Sequence, residues 1–94
     1  MLLPMVPEGE FQCPCCDYYT LAGRAGFEIC PICYWEDDGQ DMGELDRVSG
    51  PNHITLRAAR ENFERIGASD EAALPLVAAP GDRDGVRREV RATI

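Results

Sequence analysis

Two short segments, Cys13-Pro14-Cys15-Cys16 and Cys30-Pro31-Ile32-Cys33, constrain this chain more than any other feature. Each contains a Cys-Pro-x-Cys pattern, and thirteen residues lie between Cys16 and Cys30. A C-x-x-C pair closes a tight turn whose backbone amides point at the sulfurs. Two such turns joined by a hairpin supply four thiolates for tetrahedral coordination at about 2.3 Å per bond. Pro14 and Pro31 fix φ directly after the first cysteine of each pair, lowering the entropy lost when the turn closes. The expected metal ligands are therefore Cys13, Cys16, Cys30 and Cys33.

Size gives the metal its importance. A chain of 94 residues makes one domain by length, and a core of that size supplies only about 3–5 kcal/mol. A structural zinc ion contributes on the order of 10–16 kcal/mol in apparent terms. The five cysteines are an odd set, which argues against a complete disulfide framework. No stretch approaches the ~20 apolar residues that cross a bilayer, and the opening Met1-Leu2-Leu3-Pro4-Met5-Val6-Pro7 is broken by prolines and lacks a basic flank. A cytoplasmic protein with no membrane association is expected, and reduced thiols in that compartment favour metal over disulfides. Zinc is the expected ion, with iron in a rubredoxin-like site the alternative. Four cysteines leave no open coordination position, so metal-assisted hydrolysis is not expected, nor is the chain expected to be an enzyme. Cys15 lies inside the first turn and reads as a packed spectator; a redox role for its thiol is the alternative. His53, twenty residues past Cys33, is not needed as a ligand.

The formal net charge of −8 is unevenly placed. Residues 1–47 hold ten acidic and two basic side chains, whereas residues 48–94 hold seven of each. A nucleic-acid partner is not expected, because binding phosphates requires a basic face. A protein partner with a basic surface is the better electrostatic match. Residues 36–46 carry six carboxylates and read as a solvated loop. Trp35, Glu36, Asp37, Asp38 and Asp41 form the candidate partner surface, although aromatics placed like Tyr34 and Trp35 most often pack on the hairpin and helix to shield the metal.

Elsewhere the pattern is sparse. Tyr18-Tyr19-Thr20-Leu21 and Phe27-Glu28-Ile29 read as strands of a β-hairpin turning through residues 22–26. A helix is expected over residues 56–66, capped by Thr55 and ended by Gly67, with Leu56, Ala59, Phe63 and Ile66 on one face against Phe27 and Ile29. Leu74, Leu76 and Val77 are expected to lie extended. Residues 85–94 read as a short helix with Val86, Val90 and Ile94 on one stripe. The fold class is thus small α+β: a zinc-ribbon-like hairpin with two knuckles, an acidic loop, one amphipathic helix and a C-terminal tail. Residues 11–68 form the core and 69–94 an extension.

Taken in order, Cys13-Pro14-Cys15-Cys16, Cys30-Pro31-Ile32-Cys33-Tyr34-Trp35-Glu36-Asp37-Asp38, Ala59-Arg60-Glu61-Asn62-Phe63 and Gly67 resemble the bacterial cysteine-rich CPCC family. The resemblance runs from about Phe11 to Ala68. It implies a metal-binding domain and names no biochemical activity. Asp17 departs from the pattern, standing where glycine is expected after the first turn. The expected function is non-enzymatic protein binding by a zinc-stapled scaffold, one form being neutralisation of a basic toxin by an immunity-type protein. Rubredoxin-like electron transfer and a thiol redox role are the alternatives.

Overall fold

Because each cysteine turn reverses the chain by itself, the residues flanking a turn become partners. The computed structural model describes residues 6–93. In it, strand β1 (Phe11–Gln12) pairs antiparallel with β2 (Tyr19–Leu21), Phe11 opposite Leu21 and Gln12 opposite Tyr19, around the first cysteine turn. The second turn is flanked in the same way by an antiparallel bridge between Ile29 and Glu36. This corrects the expected pairing of 18–21 with 27–29. Ala25 and Phe27 hold positive φ of 62° and 61°, which breaks extension there and sends Phe27 into solvent, 57% exposed.

The lead-in lies on β2: the Gly9 amide donates to the Tyr19 carbonyl at 2.8 Å. A Cβ at position 9 would sit 2.4 Å from the Leu21 carbonyl oxygen, so only glycine fits this approach.

Helix α1 (Leu56–Ile66) has the expected bounds. The Thr55 hydroxyl accepts from the Ala58 amide at 3.0 Å, and Gly67, at φ 81°, returns its amide to the Phe63 carbonyl. Its buried stripe is Leu56, Ala59, Arg60 and Phe63, with Ile66 only half-buried. Phe27 and Ile29 do not face it. Phe63 meets the ring of Tyr18 edge-on, at 6.4 Å and 80°. The core gathers Leu21, Ile32, Trp35, Leu45 and Leu56 around the cysteines.

The tail returns to this core. Residues 71–76 form a 3-10 helix, Glu71–Leu76, capped by Asp70 and containing Pro75, so Leu74 and Leu76 are not extended as expected. Proline lacks the amide that a longer α-helix there would need. Residues 85–93 form no helix. Tyr18 bridges Arg88 antiparallel, and the Tyr19 amide donates to the Arg87 carbonyl at 2.8 Å. A terminal helix of this length is marginal alone, whereas the edge of β2 offers partners for the same backbone groups. Val86 is buried and Val90 is exposed; Ile94 lies outside the described residues. Among the described residues no helix is long and apolar enough to cross a membrane.

Candidate metal centre

The two cysteine turns share one backbone design. In the first, the Asp17 amide donates to the Cys13 carbonyl at 2.9 Å and the Cys13 amide to the Tyr18 carbonyl at 2.8 Å. In the second, the Tyr34 amide donates to the Cys30 carbonyl at 2.8 Å and the Cys30 amide to the Trp35 carbonyl at 2.9 Å. The residue closing each turn is left-handed, Asp17 at φ 68° and Tyr34 at φ 72°. Asp17 therefore adopts the conformation for which glycine is ordinarily used.

These turns bring Cys13, Cys16, Cys30 and Cys33 together, their sulfurs all within 4.8 Å of one another. The Cys13–Cys33 separation is 3.6 Å and the Cys16–Cys30 separation 3.7 Å. Tetrahedral metal–sulfur bonds of about 2.3 Å require sulfur–sulfur edges of about 3.8 Å, so the four fit a single ion. All four are buried. Burial, together with the neighbouring thiols, pushes the Cys13, Cys16 and Cys33 thiols well up. Burial also raises Cys30, but hydrogen bonds from Cys13, Cys16, Cys33 and Thr20 outweigh it and hold that thiol well below its usual value. The Thr20 hydroxyl lies 3.1 Å from the Cys30 sulfur, and the Trp35 amide donates to the Cys33 sulfur at 3.4 Å. Four thiolates cannot coexist in such an interior without a cation. Cys15 is also buried but lies outside the four-sulfur set. His53 is exposed and is likewise not part of it.

The residues beside the centre differ from a solvated surface. Trp35 has 0% exposure, so its indole is core and not a surface anchor. Asp37 is also fully buried: its carboxylate accepts from Arg24 Nε at 3.0 Å and from the Ala25 and Gly39 amides at 2.8 and 3.1 Å. Asp38 accepts from the Gln40 amide and the Ser49 hydroxyl. Asp41 pairs with Arg24 and Arg91; burial opposes ionisation there, but the Arg24 guanidinium holds its carboxyl below the usual range. Glu44 pairs with Arg47, and Asp46 with Arg57. The expected solvated acidic loop is instead an internally compensated network. Of the four carboxylates assigned to a partner surface, Glu36 alone has a side chain without an ion pair or hydrogen bond among the described residues, and the buried Trp35 indole nitrogen also lacks a partner there.

One cluster escaped sequence reasoning. Asp17, 1% exposed, accepts from Arg60 Nη1 and Nη2 at 2.8 and 2.9 Å, from Arg91 Nε at 2.9 Å and from the Arg91 amide at 2.8 Å. Burial would raise its pKa, yet Arg60 and Arg91 hold it below the usual carboxylate value. Arg60 also donates to the Pro14 carbonyl at 2.6 Å, and Arg88 Nε to the Cys16 carbonyl at 2.9 Å. Helix, tail and first cysteine turn thus meet at one carboxylate. The available signal was Arg60 itself: it falls on the apolar stripe of α1, and a guanidinium on that face calls for a buried anion.

A family model described as "Cysteine-rich CPCC" matches residues 11–84, and the chain belongs to that family. The match continues past Ala68, where the resemblance read from the sequence ended, and takes in the 3-10 helix Glu71–Leu76 and a second, shorter one at Pro80–Arg83. No curated protein and no solved structure matches the chain.

Proposed function

We propose that this protein is a small zinc-ribbon-like module in which Cys13, Cys16, Cys30 and Cys33 hold one structural zinc ion, and that its task is non-enzymatic binding of another protein. The carrying observation is the set of four buried sulfurs, all within 4.8 Å of one another and with two separations of 3.6 and 3.7 Å. Four thiolate ligands close the coordination shell, so the ion stabilises the fold and has no position for substrate or water. What remains for function is the surface that the ion holds in place. The net charge of −8 supports a partner with a basic face, as a toxin neutralised by an immunity-type protein would have.

Elemental analysis of protein purified without chelator is expected to find about one zinc per chain. Replacing any one of the four ligands by serine should lose metal and order together, whereas Cys15→Ser should retain both. A folded quadruple-serine variant would overturn the structural assignment. Protein that is red and bleaches on reduction would indicate iron and move the function to electron transfer, since zinc has no redox step. With zinc retained, pull-down should recover one basic protein whose association slows as salt rises. Recovery of a reductase instead would contradict protein binding as the primary task.

A further inference from the structure

The second cysteine turn, the 51–54 segment and the 3-10 helix Glu71–Leu76 line a groove of about 480 Å³. Ile29, Tyr34, Ile54 and Leu76 line it with apolar surface, and three of these are well exposed: Ile29 at 42%, Tyr34 at 36% and Leu76 at 58%. Its volume is in the range of sites that enclose one or two side chains of a ligand.

The walls are fixed to the metal turn. The Asn52 side chain bridges both backbone groups of Glu36, at 2.9 and 2.8 Å. The Ser69 amide donates to the Cys33 carbonyl at 2.8 Å, and the Ala78 amide to the Pro31 carbonyl at 2.9 Å. Such a groove is preorganised, which limits the entropy lost on binding.

Two features point to a ligand. Tyr34 closes the second turn at φ 72°, a conformation that glycine adopts without strain. At the matching position of the first turn, the Asp17 side chain is buried and fully engaged. The Tyr34 side chain lies outside the hydrophobic core and faces the groove instead. The second feature is charge. Glu36 and Asp70 line the groove together with His53 and no arginine, and neither carboxylate forms an ion pair among the described residues. An apolar trough edged by uncompensated carboxylates is complementary to an aliphatic side chain flanked by cations.

We infer that this groove docks an extended peptide segment of a partner protein, seating an aliphatic side chain against Tyr34 and Leu76 and flanking arginine or lysine side chains near Glu36 and Asp70. This presupposes that the chain is a protein-binding module and specifies where and by what chemistry it binds.

The test is selection of random linear peptides, displayed on phage, against the zinc-loaded full chain. Enriched peptides should carry an aliphatic residue flanked by arginine or lysine. Synthetic copies of the most enriched peptide should bind at least about tenfold more weakly to Tyr34→Gly and to the Glu36→Gln/Asp70→Asn double variant, as expected for loss of an aromatic anchor or of two steering charges. Tyr34→Gly relieves the backbone and Asp70→Asn keeps an oxygen for the Ala72 amide, so both variants should retain zinc and thermal stability. Glu61→Gln, on the exposed side of α1, should bind as the wild type does. Peptides that bind Tyr34→Gly unchanged would refute the groove while leaving protein binding intact. Enriched peptides lacking basic residues, or no enrichment at all, would also overturn it, and zinc content measured on the same samples tests the metal assignment separately.

Discussion

Replacing Asp17 by asparagine tests whether the tail and helix are fastened to the first cysteine turn by one buried charge. Asparagine keeps the shape and tolerates the left-handed backbone at φ 68°, so the substitution isolates the charge. It leaves Arg60, 7% exposed, without its counter-ion and turns an amide NH₂ toward a guanidinium. Removing one partner of a buried pair costs about 3–5 kcal/mol. Arg60 keeps the Pro14 and Arg91 carbonyls and the Thr93 hydroxyl as acceptors, which places the expected loss near the lower end, about 3 kcal/mol. In urea unfolding with zinc in excess, that corresponds to a midpoint lower by about 1–3 M. Amide exchange should quicken at Tyr19 and Glu89, whose hydrogen bonds hold the tail to β2 and to the Asp17 carbonyl.

The pH dependence follows from the depressed pKa of Asp17. Its contribution is fully present above the unfolded carboxylate value of about 3.9 and is lost as pH falls through the lower folded value. The difference between wild type and Asp17→Asn should therefore be flat from about pH 5 to 8 and shrink only in stronger acid. Asp17→Gly removes the left-handed strain, worth about 1–2 kcal/mol, but also every acceptor. It should remain less stable than the wild type. A loss below about 1 kcal/mol for Asp17→Asn, or a glycine variant as stable as the parent, would refute the idea that this carboxylate holds the structure together.

Phe63→Ala should cost about 3–5 kcal/mol in the same unfolding assay, since Phe63 is 7% exposed and loses its contact with Tyr18; a loss under about 1 kcal/mol would mean that the ring contributes little packing. Asp37→Asn should cost about 1–3 kcal/mol by leaving Arg24 and one backbone amide poorly satisfied, whereas Glu36→Gln should stay within about 0.5 kcal/mol. Equal effects at these two positions would contradict the distinction between a structural and a free carboxylate.

The clustering of the four cysteines and helix α1 were legible because each rests on a local rule. Spacing alone matches the four cysteines, and Thr55 and Gly67 mark the helix ends at the bounds observed. The hairpin was misread because Phe27-Glu28-Ile29 alternates like a strand, while the turn at Cys30 claims its backbone. Phe27 at φ 61° is then excluded from extension. The acidic run was misread for a different reason. Carboxylate density says nothing about where the arginines go, and Arg24 and Arg91, whose guanidinia reach Asp41, lie seventeen and fifty residues from it in sequence. The tail failed similarly, since its extended form depends on an open strand edge that no local pattern announces.

The uneven charge of the two halves has a structural outcome. The first half carries ten carboxylates against two arginines, the second seven of each. In the fold, Arg57, Arg60 and Arg91 of the second half reach back to Asp46, Asp17 and Asp41 of the first. Charge asymmetry along the chain thus becomes attraction between the cysteine-bearing segment and the helix and tail that cover it. The direction of the effect matters when metal binds, because four thiolates around one divalent ion add about two negative charges to the acidic half. The carbonyls of Pro14 and Cys16, to which Arg60 and Arg88 donate, belong to the first of the two cysteine turns that would hold such an ion. Metal loading should therefore strengthen the grip of both guanidinia on the first turn, so that the ion and the tail stabilise the same packed arrangement from opposite ends of the sequence.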